Sequence, residues 1–210
     1  VGVAVGQRSR RPLAGGVVAI ALAASQRGGA SAPPAPGVTR ATSAGPRVAG
    51  APDYDPARFD ALAYLPRAHA RAVALAPDAL LVGFDVDGVA ATGLADLTLA
   101  PEFDATYQFR SPSRSVRPDV PVGVPVEIPC MVYVDVTATA VEAYVVSRAA
   151  CDEPLRPQPR CRLAEVWARV VPGRAPPDAV AQIDYLADGW FVQVGDDTSE
   201  SVRDDCAPTP

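Results

Sequence analysis

Apolar residues recur at two different periods along this chain, and the changes between them mark out helices and strands. Phe59, Leu62 and Ala63, then Ala70, Val73 and Ala74, follow helical spacing, with Asp55 as N-cap and Pro56 in the first turn. Pro66 interrupts this pattern, which predicts a short first turn and then a helix from about Pro66 to Ala76, stopped by Pro77. From Leu80 the period becomes two. Leu80, Val82, Phe84 and Val86 fall on one face, and Leu81, Gly83, Asp85 and Asp87 on the other, as in a half-buried strand. Further strands are expected over Leu94 to Leu99 and over Ala105 to Arg110, the latter with Tyr107 and Phe109 inward. Residues 111–129 are rich in proline and read as a surface excursion. Residues 129–147 alternate again about a turn near Thr137 to Ala140, giving a hairpin. Leu163, Val166, Trp167 and Val170 share a face of a second helix, ended by Pro172 and Gly173. Val180 to Leu186 and Trp190 to Val194 flank Asp188-Gly189, a two-residue turn signal, as a last hairpin. Helix followed by strands thus occurs twice, and the predicted class is α+β, two helices with an antiparallel sheet.

The first fifty residues have a different texture. Arg8, Arg10 and Arg11 precede an apolar run over residues 12–25, and Ala21-Leu22-Ala23 offers a small-residue cleavage pattern. A run of fourteen residues suits a signal-peptide core better than a spanning helix, which needs about 20. Residues 1–32 therefore read as a signal peptide or a short membrane anchor. Val at position 1 fits either a GTG start or a reading frame that continues upstream. Residues 33–52, mostly Gly, Ala, Ser, Thr and Pro, read as a flexible linker, with the folded domain expected over 53–206 and a tail at 207–210.

All 19 basic residues are Arg, and the chain has neither Lys nor Asn, which points to a GC-rich genome and discounts the abundance of Ala, Pro and Arg as a signal. The net charge of -5, with no basic stripe, argues against a nucleic-acid partner. Cys130, Cys151, Cys161 and Cys206 lie in no close pair, and His69 is the only histidine, so a structural zinc site is not expected. Disulfides fit an exported chain. In the hairpin turning near Ala138, Cys130 falls opposite about Arg148 and so near Cys151, which favours Cys130 with Cys151 and Cys161 with Cys206 over the other two connectivities. His69 reads as a helix-surface residue.

Two resemblances bear on function. Leu80 to Val89, LLVGFDVDGV, resembles the first motif of the haloacid dehalogenase superfamily of phosphatases. That likeness implies Asp85 as nucleophile, Asp87 as general acid and base, and Mg²⁺ between them, with Ser147, Arg160 or Arg162, and Asp196 for the later motifs. It also implies a parallel sheet with crossover helices, and no amphipathic helix is predicted between Asp87 and Ser147. The second covers more of the chain. FDALAYLPRAHARAVALAPDALL, GLADLTL, YQFRSPSRS, CMVYV, CRLAEVWARV and Gly189-Trp190-Phe191 resemble the extracytoplasmic module attached to some bacterial serine/threonine kinases and exported proteins of GC-rich bacteria. None of the kinase motifs is present. This resemblance implies a non-catalytic, extracytoplasmic domain, periplasmic, secreted or membrane-anchored, that binds a small ligand, a cell-wall component or a partner protein without a cofactor. Tyr107, Arg110, Arg114 and Trp190, with Trp167 and Phe191, are its candidate binding residues; the competing role for the two tryptophans is to pack the second helix on the last hairpin.

Overall fold

The computed structural model describes residues 46–119, 121, 126–170, 176, 178–186, 189–195 and 198–206. The expected signal peptide or anchor, most of the linker, the tail at 207–210 and Asp196 lie outside the described residues. Those described belong to one compact unit, Thr39–Pro210. Eight strands, β1 (Arg47–Gly50), β2 (Leu80–Val89), β3 (Asp104–Arg110), β4 (Ile128–Thr137), β5 (Val141–Arg148), β6 (Ala181–Leu186), β7 (Gly189–Val194) and β8 (Thr198–Val202), form one sheet. Its order is β1-β5-β4-β3-β2-β6-β7-β8, antiparallel throughout. Helices α1 (Ala61–Leu75) and α2 (Leu163–Val170) pack on it, α1 against β2 to β5 and α2 against β7 and β8. The fold is α+β, and helix followed by strands does occur twice. The second unit joins the first through β2 and β6, far apart in sequence.

The inner faces of the strands and the apolar stripes of both helices share one core. Phe84, Tyr107, Tyr185 and Trp190 sit at its middle with ring centroids 5.5, 5.7 and 5.8 Å from Phe84. A smaller cluster of Ile128, Cys130, Met131 and Val146 lies apart from it.

Four expectations change. The helix begins at Ala61, because the Asp60 carboxylate accepts from the N–H groups of Leu62 and Ala63 at 3.1 and 3.0 Å, and Pro66 is carried inside it. Asp55 caps only the 3₁₀ turn Pro56–Arg58. Leu94 to Leu99 is not a strand: it touches its neighbours through isolated bridges from Ala95 to Phe59 and Val89, and the Asp96 side chain turns it by accepting from Thr98. The end of the predicted linker, Arg47–Gly50, pairs with β5 as an edge strand, and the acidic stretch after β7 supplies β8. Finally, a bulge between Leu81 and Gly83 reverses the start of β2. Leu81 enters the core with Phe84 and Val86, while Leu80 is left exposed.

Both disulfides join the pairs favoured from the sequence, Cys130–Cys151 with Cα atoms 6.2 Å apart and Cys161–Cys206 at 5.0 Å, and no described cysteine is free. They indicate a non-cytoplasmic, oxidising compartment. Among the described residues no helix is long and apolar enough to cross a membrane.

Candidate functional site: a cleft on the open sheet face

Both helices share one core on one side of the sheet, and among the described residues no helix covers the other side. Register carries a single row of residues across all eight strands of this open face: Ala49, Glu142, Asp135, Thr106, Asp85, Asp184, Phe191 and Ser201. In β2 to β7 the strand neighbours of each row member are core residues, so alternation turns the row outward. A second row, Arg47, Tyr144, Tyr133 and Gln108, runs beside it. There the two tyrosine rings stack at 5.8 Å, with Arg47 over the Tyr144 ring and Arg148 over the Tyr133 ring.

The rows converge on a cleft of about 500 Å³ over the β2–β6 seam. Asp85, Gln108, Gln182 and Asp184 rise from the strands, and Glu153 and Arg156 come from the segment between β5 and α2. Gly83 leaves the floor without a side chain. It must, because a Cβ there would stand 2.5 Å from the Tyr185 carbonyl oxygen. The segment forming the wall is held at both ends. Cys151 is bonded to Cys130 on β4, and Cys161 to Cys206. Between them Arg110 donates to the carbonyls of Cys151 and Glu153 at 3.1 and 2.6 Å, and the Arg156 N–H donates to the Leu81 carbonyl at 2.7 Å. Farther along, the Asp204 carboxylate accepts from the N–H groups of Arg160 and Cys161 and from Trp190 Nε1.

Facing carboxylates repel one another, and Asp85 stands directly opposite Asp184. Burial, reinforced by the charges of Asp184, Asp104 and Asp87, pushes the Asp85 carboxyl up to about 7, opposed by a long 3.5 Å hydrogen bond from Gln108 Nε2. Asp184 and Asp87 are also raised, burial leading in both. Farther along the row, Asp135 accepts from Thr106 Oγ1 and the Tyr144 hydroxyl at 3.1 and 2.9 Å.

The structure disperses the four residues expected to bind. Tyr107 is fully buried and donates its hydroxyl to the Ala61 carbonyl at 2.7 Å, and Trp190 is buried on Asp204. Arg110 is spent on the wall of the cleft, and Arg114 donates to the Leu75 carbonyl at 2.7 Å, closing the end of α1. Trp167 is core, whereas Phe191 does stand on the open face beside Asp184. His69 is half-buried, its Nε2 within 2.9 Å of the Ala79 carbonyl. Asp85 and Asp87 are the sequence-selected residues that reach the open face together. Gln108, Glu153, Arg156, Gln182 and Asp184 carry no motif in the sequence. Alternation in β3 and β6 marks Gln108, Gln182 and Asp184 as outward, but only the β2–β6 pairing places them at one cleft.

The phosphatase likeness is confined to the motif. Both neighbours of β2 run antiparallel to it, and from Asp87 to Ser147 the described chain contains strands, turns and one 3₁₀ turn, with no crossover helix. Among the described residues no three His, Cys, Asp or Glu side chains converge as ligands of a metal ion.

What fold and site define together is a disulfide-linked α+β domain with one helix-covered sheet face and, among the described residues, a second face without helical cover whose central rows are polar. The chain matches no family model, no curated protein and no solved structure.

Proposed function

We propose that this chain is a non-catalytic extracytoplasmic binding domain, periplasmic, secreted or membrane-anchored through residues 12–25, whose ligand occupies the cleft on the open sheet face. The supporting observation is the cleft itself, of a size that suits small ligands, with polar side chains converging on a hollow floor and a wall braced at both ends by disulfides. Such bracing reduces the ordering cost of binding. The sequence resemblance to kinase-linked modules supports the same reading, with the domain as the sensor part of a receptor kinase.

A ligand-observed NMR screen of small polar compounds tests it, using the full chain and a Gln182→Trp variant that fills the cleft. Binders should be found, and the filled variant should lose them. A screen without binders, or one whose binders ignore the substitution, would remove the support for this reading. Incubation of the chain with Mg²⁺ and p-nitrophenyl phosphate should release no phosphate; release that vanishes in Asp85→Asn would replace the binding domain with a phosphatase.

A further inference from the structure

Four kinds of ligand can be weighed against the donors and acceptors of the cleft, an argument that rests on the binding-domain reading above. Asp85, Asp184 and Glu153 offer acceptor oxygens, Arg156 offers only donors, and Gln108 and Gln182 offer both. An anion would meet the three carboxyl groups. An apolar ligand would strip water from all six polar side chains and return no hydrogen bonds. A metal ion would need convergent oxygens, whereas Asp85 and Asp184 sit on neighbouring strands, Glu153 stands on the wall, and among the described residues no three carboxylates converge as ligands. What remains is a ligand whose groups each donate and accept at once. Hydroxyl groups do so, and vicinal pairs of them match the planar forks of carboxylate, carboxamide and guanidinium.

We infer that the cleft holds a neutral oligosaccharide, with one sugar ring seated above Gly83 between Asp85, Gln108, Gln182 and Asp184 on the floor and Arg156 on the wall. The floor suits a bulky ring because Gly83 contributes no side chain and cannot acquire one without striking Tyr185. The apolar faces of a sugar have partners as well. Val82, Pro154 and Leu186 line the same cleft, and the half-buried Phe191 is the next member of the row after Asp184. The open face continues on both sides of the seam, leaving space for further sugars along the rows.

Titration of the ¹⁵N-labelled full chain with chitotetraose, cellotetraose, maltotetraose and a tetragalacturonate tests the inference. At least one neutral tetrasaccharide should shift the amides of Asp85, Gln108 and Asp184, and the anionic one should not. Gln108→Leu and Gln182→Leu should each raise Kd about tenfold, as expected for the loss of one or two hydrogen bonds. Ala70→Gln, exposed on α1 across the sheet from the cleft, should leave it unchanged. Retained amide dispersion in each variant separates lost contacts from lost fold. If the tetrasaccharides leave these amides unmoved while compounds from the small-molecule screen still bind there, the sugar inference fails and the binding domain stands. If neither binds, both fail. Sugar binding that survives both Gln→Leu variants would put the site elsewhere and overturn the inference.

Discussion

Asp85 shows how a single carboxyl can record the character of a surface. It lies on an inner strand, opposite Asp184, with the long hydrogen bond from Gln108 as its support. Burial first, then the charges of Asp184, Asp104 and Asp87, hold its proton to about 7 against 3.8 for an ordinary aspartate, while the Gln108 hydrogen bond pulls the other way. The unfolded chain releases that proton near the lower value and the folded chain only near the upper one. The group thus favours the fold most at acidic pH, and its contribution declines as pH rises from about 4 to about 7. Asp85→Asn keeps the shape and removes the charge, so it should add on the order of 2 kcal/mol at pH 8 and little at pH 4. Urea denaturation at the two pH values checks this; an equal change at both would mean that Asp85 is not held protonated by its neighbours. Asp85 and Asp87 were visible in the sequence as outward residues of β2, but the pairing that sets Asp184 opposite Asp85 was not. Size alone left Tyr107 and Trp190 open between surface and core, and only the packing reveals that Ala61 and Asp204 already occupy their polar atoms.

At the scale of elements, periodicity was legible wherever one partner set it. Alternation located β2 to β7, and the hairpin register of β4 and β5 brought Cys130 close enough to Cys151 to favour that bond. It failed where a distant contact decides. β1 has little apolar content and becomes a strand because β5 offers an unpaired edge. Leu97 is buried without a ladder to belong to, since Phe59 and Val89 reach Ala95 through single bridges. Proline misplaced the start of α1. Pro66 forgoes one backbone hydrogen bond, yet Asp60 nucleates the turn before it, and Ala61, Tyr64, Leu65, Ala68 and Ala72 bury one continuous stripe. Asp60→Ala should therefore cost about 1 kcal/mol in thermal or urea unfolding, and Asp60→Asn should restore most of it. A neutral Asp60→Ala would return the start of the helix to Pro66.

Across the whole described unit, the two helix-and-strand halves meet along β2 and β6, and each disulfide stays within one half. Cys130–Cys151 closes a loop of the first half, and Cys161–Cys206 ties the start of α2 to the end of the second. The seam of the sheet, where the cleft lies, is thus held by ladder hydrogen bonds and by the rings packed behind it, Phe84 against Tyr185 and Trp190. Gly83 lets the backbones close at that point. In Gly83→Ala the new methyl would meet the Tyr185 carbonyl, a backbone atom that cannot swing aside, so β6 must move away from β2. The expected loss is at least about 2 kcal/mol, among the larger effects of a single substitution. Its location is more telling than its size. Hydrogen exchange should quicken in β2 and β6 together, while the β4–β5 hairpin, braced by Cys130–Cys151, keeps its protection. Exchange that quickened evenly through all the strands would show that the halves unfold as one body and that the seam is no weaker than the rest. Under the seam account, a ligand bridging β2, β3 and β6 across the cleft restores protection to those strands first, which ties recognition on the open face to the junction where the two halves meet.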